Sequence, residues 1–168
     1  LPRRTGTPHH PMTPRAKLAW WSRHHPEVVA RVDRWLGLKD WVLWWLTGEV
    51  VTERSSAGGT GLCSLETGTW DAEALAAAGI DAACLPRVRR PTEVVGLRPH
   101  LATELGLAAG LPVVLGAADG PVSNLGVGAT GPGALAVTVG TSVAVRAVVH
   151  RPLTGSDGSL FCYPLALD

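Results

Sequence analysis

The chain has 168 residues, enough for one well-filled core or two small ones. Apolar residues make up 46% and charged residues 17%, which excludes a disordered chain. The net charge of +1 offers no basic excess for a nucleic-acid partner. The apolar runs Trp41–Leu46 and Leu107–Ala118 are too short to span a membrane, the second being broken by Gly110 and Pro112.

Residues 1–13, rich in Pro, Arg and His, read as an irregular lead-in. Thr13 as N-cap and Pro14 as first residue predict a helix to about His24, with Leu18 and Trp21 on one face. A second helix is expected from Pro26 through Val28, Val32, Trp35 and Leu36 to Gly37, and a third from near Lys39 to Thr47-Gly48. Six of the seven tryptophans fall in this stretch, and an aromatic stripe at helical spacing reads as core.

Beyond Gly48 the chain turns small, polar and glycine-rich. Trp70–Ala78 reads as a short helix ended by Gly79, and Leu85–Gly96 as a loop leading into a strand. A brief helical turn over Ala102–Leu107 and a buried strand over Leu111–Gly116 follow. Pro121–Leu125 starts a helix that stops in GVGATGPG. Ala134–Val149 reads as two antiparallel strands around Gly140-Thr141-Ser142, and Gly155–Tyr163 as a loop opening another strand.

Asp119 stands out chemically. It lies in GAADG, directly behind an apolar run, where Gly116, Ala117, Ala118 and Gly120 leave room for a substrate. A carboxylate is a weak base at neutral pH, which suits phosphoryl transfer, whose loose transition state depends on positioning more than on early proton removal. Gly140, Thr141 and Ser142 can turn backbone N–H groups and hydroxyls toward phosphates. The plainer alternatives are that Asp119 caps the following helix and that the Gly-Thr-Ser turn only packs.

Other patterns carry less. Gly126, Gly128 and Gly131 match the dinucleotide fingerprint formally, but a helix precedes them and a strand follows, the reverse of what that fold needs. His9-His10 and His24-His25 lack carboxylate or thiol partners at ligand spacing, so no metal site is read. Arg87, Arg89 and Arg90 read as a solvated loop face. Cys63, Cys84 and Cys162 are odd in number and form no C-x-x-C or zinc spacing, which favours a reduced, cytoplasmic setting. The basic start lacks the apolar stretch of a signal peptide. A Leu at position 1 and an uncapped end at LALD give the expectation of a piece of something larger.

Taken together, these motifs resemble the FGGY carbohydrate kinases of the actin-like ATPase superfamily. Met12 to Trp20 is similar to that family's Pro/Ser/Thr then Lys-apolar-x-Trp signature, with Trp21 where a smaller aliphatic is usual. LTGEVVTERSSAGGTGL resembles its second segment, with Glu53 for the usual Asp and Gly59 for Ser. Trp70-Asp71, Leu85-Pro86, Val95-Gly96, GAADG and GTS complete the likeness.

The resemblance implies an α/β, ribonuclease-H-like fold, present in part. Residues 1–115 would belong to the N-terminal domain, and residues 116–168 to the inter-domain cleft segment and the start of the C-terminal domain. It implies ATP-dependent phosphorylation of a sugar, sugar acid or polyol. Asp119 would be the base, Asp119 and Gly120 would meet the substrate, and Gly140, Thr141 and Ser142 would hold nucleotide phosphates bridged by Mg²⁺. DGPVSNLGVGA together with TGTPHHPMTPRAKLAWW looks most like the gluconate kinases; Gly120 stands where glycerol kinases usually carry Gln and xylulose kinases Asn, which disfavours the second less strongly. A homo-oligomer is left open. The D-x-G-T phosphate loop and the glycine-rich adenosine motif are absent, so the chain alone is expected to be inactive. The competing expectations are another FGGY sugar kinase and, from a different class, a non-catalytic remnant or interaction module.

Overall fold

The computed structural model describes residues 1–165, so the last three residues of the 116–168 segment lie outside the described residues. Fifteen short elements build the fold around three small apolar clusters instead of one large sheet.

The first cluster joins two helices. Helix α2, Pro14–His24, begins as its sequence dictates: Pro14 opens it, and the Thr13 side chain accepts from the Ala16 N–H. Its Leu18 packs with Leu62 and with Ala74, Leu75 and Ala78 of the later helix Ala72–Ala78. Alanine lets the two backbones approach, and the Ser22 hydroxyl donates to the Ala78 carbonyl at 2.8 Å. Gly79 ends the second helix at φ +68°, and a Cβ there would stand 2.8 Å from the Ser22 Cβ. Gly79→Ala therefore costs both left-handed strain and this contact. A loss of about 2 kcal/mol, read as a lower urea midpoint, is expected. An unchanged midpoint would show that the junction relaxes freely.

Near the N-terminus, α1 spans Pro2–Thr5. Beyond Thr5 the lead-in is irregular, as expected, but its first half is docked. Thr5, Gly6 and Thr7 are buried, the Thr7 hydroxyl donates to the Gly58 carbonyl, and Cys162 N–H donates to the Gly6 carbonyl. Long-range hydrogen bonding, which composition does not reveal, docks it.

After α2, helix α3 covers only Pro26–Val29, so the helix expected to reach Leu36 stops within one turn. Helix α4, Leu38–Thr47, starts where Asp40 accepts the Gly37 N–H at 3.0 Å, and ends at Gly48 in the left-handed region. Only Asp40 and Leu43 of α4 are buried. Leu43 meets Val51 and Leu115, while Trp41, Trp44 and Trp45 remain 38–50% exposed. The aromatic stripe is thus not core: α4 buries a narrow strip, and its indoles project elsewhere.

Strand β1, Val51–Glu53, pairs in parallel with β2, Arg87–Arg89. Between them, α5 spans Arg54–Gly58, α6 is the Ala72–Ala78 helix, and a 3-10 turn covers Ala82–Cys84. Strand β3, Val94–Gly96, pairs antiparallel with β4, Pro112–Val114, and α7, Pro99–Leu105, lies between them. Leu97, Leu101 and Ala102 form the third cluster beside Leu46 and Val113. The strand expected to be buried over Leu111–Gly116 shows exposed residues at Leu111, Pro112 and Val114, and only Leu115 is fully covered.

Helix α8 covers Asp119–Gly126. Strands β5, Leu135–Val139, and β6, Val143–Ala147, form the expected antiparallel pair, with Val139 opposite Val143. No strand follows Gly155 among the described residues.

Candidate functional site

A cavity of about 700 Å³ opens between α2, α4, the β1–α5 segment and the start of α8. Its walls are largely apolar, with Trp21 and Trp35 among them, and its polar side chains are Lys17, Lys39, Asp40, Thr52, Ser55, Ser56, Thr60, Asp119 and Tyr163. Such a lining, apolar walls with polar groups set among them, suits a small-molecule site. Trp21, read from sequence as core, is exposed and lines this space, whereas Trp35 packs against the first apolar cluster as expected and also lines it.

Asp119 reaches the cavity because the apolar run ends at the buried Leu115 and the chain turns at Gly116, φ +66°, into α8. Asp119 is the first residue of that helix and is exposed. Its Oδ1 accepts the Gly120 N–H at 2.7 Å. The cap position is Ala118, which makes no side-chain capping bond, so the plain capping role weighed for Asp119 does not describe it. Gly120 is buried beside it. A Cβ there would meet the Tyr163 hydroxyl oxygen at 3.0 Å and the Arg146 Nε at 3.3 Å, so the missing side chain lets both groups approach.

Gly140, Thr141 and Ser142 lie elsewhere. All three are exposed at the tip of the β5–β6 hairpin, where the Gly140 N–H donates to the Ser142 carbonyl, and none lines the cavity. The described residues therefore bring together Asp119 and Gly120 but not the Gly-Thr-Ser turn.

Sequence reasoning missed a buried polar cluster behind Ser55. Glu53 is wholly buried. Its Oε1 accepts Lys39 Nζ at 2.9 Å and Ser56 N–H at 2.9 Å, and its Oε2 accepts Ser55 N–H at 2.7 Å and the Ser55 hydroxyl at 2.6 Å. Burial pushes this carboxyl up, but the bonds from Ser55, Ser56 and Lys39 outweigh it and hold it below the ordinary glutamate range. The available signal was an acid directly before Arg54-Ser55-Ser56, the pattern of a helix N-cap. Asp40 is the counterexample. Its Oδ1 is buried without a hydrogen-bond partner, and burial raises its carboxyl despite Thr52, the Gly37 N–H and Lys39 acting the other way.

The remaining motifs resolve plainly. Gly126, Gly128 and Gly131 follow a helix and precede a strand, which is no dinucleotide arrangement. His24 and His25 stack near Trp20 at 5.0 and 5.2 Å, and no group of three or more His, Cys, Asp or Glu among the described residues could hold a metal. Arg87 pairs with Glu49 and Arg89 with Glu93. The three cysteines are free, and no helix among the described residues is long and apolar enough to cross a membrane.

Residues 1–126 match the N-terminal domain of the FGGY family of carbohydrate kinases. A gluconokinase of Bacillus licheniformis is 40% identical over 164 residues, covering 97% of this chain and 32% of that protein. Among solved structures, a gluconate kinase from Lactobacillus acidophilus superposes with a TM-score of 0.92 at 38% identity, over 97% of this chain and 33% of that one. A ligand-bound xylulose kinase from the same organism gives 0.92 and 38%, over 97% and 34%. The chain spans about a third of the length of the curated relatives it matches.

Proposed function

The chain belongs to the FGGY family of carbohydrate kinases and carries part of its α/β, actin-like fold; on that premise we propose that the protein phosphorylates a sugar acid with ATP, converting gluconate to 6-phosphogluconate. The observation that carries this reading is Asp119 on the rim of the cavity, in a chain similar along nearly its whole length to gluconokinases. The proposed division puts residues 1–115 in the N-terminal domain, whose family match itself runs on to residue 126, and residues 116–168 in the cleft segment and the start of the C-terminal domain.

In this mechanism Trp21 and Trp35 receive the apolar faces of the substrate, and Gly120, whose missing side chain lets the Tyr163 hydroxyl and Arg146 approach, meets it beside Asp119. The Asp119 carboxylate accepts a hydrogen bond from the substrate's terminal hydroxyl and orients its oxygen. The oxygen attacks the γ-phosphorus of ATP, the bond to the bridging oxygen breaks, ADP leaves, and Asp119 takes the proton. Gly140, Thr141 and Ser142 are assigned to the nucleotide phosphates. Their position outside the cavity is consistent with a site completed by further parts of a longer kinase, and the chain by itself is proposed to be inactive. Mg²⁺ would neutralise the phosphate charge. The described residues present no acidic cluster for it, which fits an ion held mainly by phosphates and water. A reduced, cytoplasmic setting accords with three free cysteines.

The equal TM-score of the xylulose kinase keeps a neutral sugar as the second reading. A substrate panel with the full-length protein separates the two. Gluconate is expected to give the highest kcat/KM, at least about tenfold above xylulose, a gap of about 1.4 kcal/mol in transition-state binding. A preference for xylulose would overturn the sugar-acid assignment while leaving the kinase reading intact.

A further inference from the structure

The segment that delivers Asp119 is Gly116-Ala117-Ala118, three small residues with no large side chain to wedge them in place. Besides the Ala118 carbonyl, which accepts the Val122 N–H of the helix that follows, two of its N–H groups are held from elsewhere in the fold. The Gly116 N–H donates to the Pro91 carbonyl at 2.9 Å, and the Ala118 N–H donates to the Ser55 hydroxyl oxygen at 2.9 Å. The first anchor lies before the turn. The second sits one residue from Asp119 and comes from a side chain 63 positions away in sequence.

That side chain has a fixed polarity. An ionised carboxylate accepts and never donates, and Glu53 already takes four donors, two on each oxygen. The Ser55 hydroxyl must therefore give its only hydrogen to Glu53, at 2.6 Å, and turn its lone pairs toward Ala118. Ser55 is 1% exposed, so water does not compete for it, and Lys39 neutralises the buried charge. Charge-assisted bonds of this kind are short and directional.

We propose that Ser55, oriented by the Lys39–Glu53 ion pair, is a positioning residue that fixes the Ala118–Asp119 backbone and hence where the base stands against the acceptor hydroxyl. This rests on the reading of Asp119 as that base. The family likeness covers the motif but supplies no such role; the hydrogen-bond chain does. Because the lock works by placing a group already present, its loss lowers turnover more than binding.

The test compares Ser55→Ala, Glu53→Gln, Asp119→Asn and the Ser55→Ala/Asp119→Asn double variant in the full-length kinase, by steady-state kcat and KM. Ser55→Ala is expected to lower kcat about 10- to 100-fold with KM moving less than about threefold. Glu53→Gln, which reverses one hydrogen in the chain, should lower kcat in the same way, and it carries the test if Ser55→Ala does not fold. In the Asp119→Asn background Ser55→Ala should remove nothing more, because it acts through Asp119. Wild-type kcat in Ser55→Ala or Glu53→Gln beside an inactive Asp119→Asn overturns the positioning role alone, as does a further multiplicative loss in the double variant. Full turnover by Asp119→Asn overturns the reading underneath it.

Discussion

Asp119→Asn in the full-length kinase is expected to lower kcat by about 10³-fold, within the range that a positioned acid or base contributes. The substitution keeps size and shape, and the amide oxygen can still accept the Gly120 N–H that the carboxylate oxygen accepts now. Asp119 is exposed and takes part in no ion pair among the described residues, so folding should be untouched. What disappears is the negative oxygen proposed to orient the acceptor hydroxyl and take its proton. KM for ATP should stay within about threefold, since no part of the proposed phosphate contact is altered. Unchanged kcat would remove Asp119 from the mechanism and reduce the Gly-Ala-Ala-Asp-Gly segment to a helix start.

The second large effect is on stability. Glu53→Ala leaves the Lys39 ammonium, two backbone N–H groups and the Ser55 hydroxyl without their acceptor in a region where Val51, Thr52 and Ser55 are almost fully buried. Breaking a buried pair from one side typically costs 3–5 kcal/mol. Lys39 retains partial access to water, which puts the expected loss at about 3 kcal/mol, read from urea midpoints at neutral pH.

The pH dependence follows from the same group. The folded-state pKa of Glu53 lies below its ordinary value of 4.5, so the unfolded chain binds the proton more readily. Its stabilisation is complete above that value and is lost as the pH falls through the lower folded value. Asp40, raised by burial, works in the opposite sense, so the wild type alone mixes the two. Comparing wild type with Glu53→Gln isolates the first: the gap in urea midpoint should be wide at pH 7 and narrow toward pH 3. A gap independent of pH would show that the carboxylate's charge contributes nothing.

Local signals carried much of the fold. Thr13-Pro14 fixed the start of α2, Gly79 the end of α6, and the small Gly-Thr-Ser turn the β5–β6 hairpin, each because the deciding interaction lies within a few residues. Where the sequence misled, the deciding contact was distant. The indoles of α4 have the spacing of a core stripe, yet the helix meets Val51 and Leu115 only along Leu43. The docking of the lead-in shows only when Gly58 and Cys162 are brought against Thr7 and Gly6. At the site, Asp119 was legible from its own turn, whereas the Ser55–Ala118 bond joins segments that no periodicity connects. Glu53 looked like a minor departure from a family pattern, and its four bonds appear only once α4 and α5 are folded around it.

The most direct measurement identifies the product. The full-length protein is incubated with ATP, Mg²⁺ and gluconate, and the sugar acid is examined by mass spectrometry and phosphorus NMR. A single phosphomonoester on the terminal hydroxyl, formed one for one with ADP and lost in Asp119→Asn, is the predicted result. ATP consumed without a phosphorylated sugar acid, or no turnover of any sugar, would contradict the account.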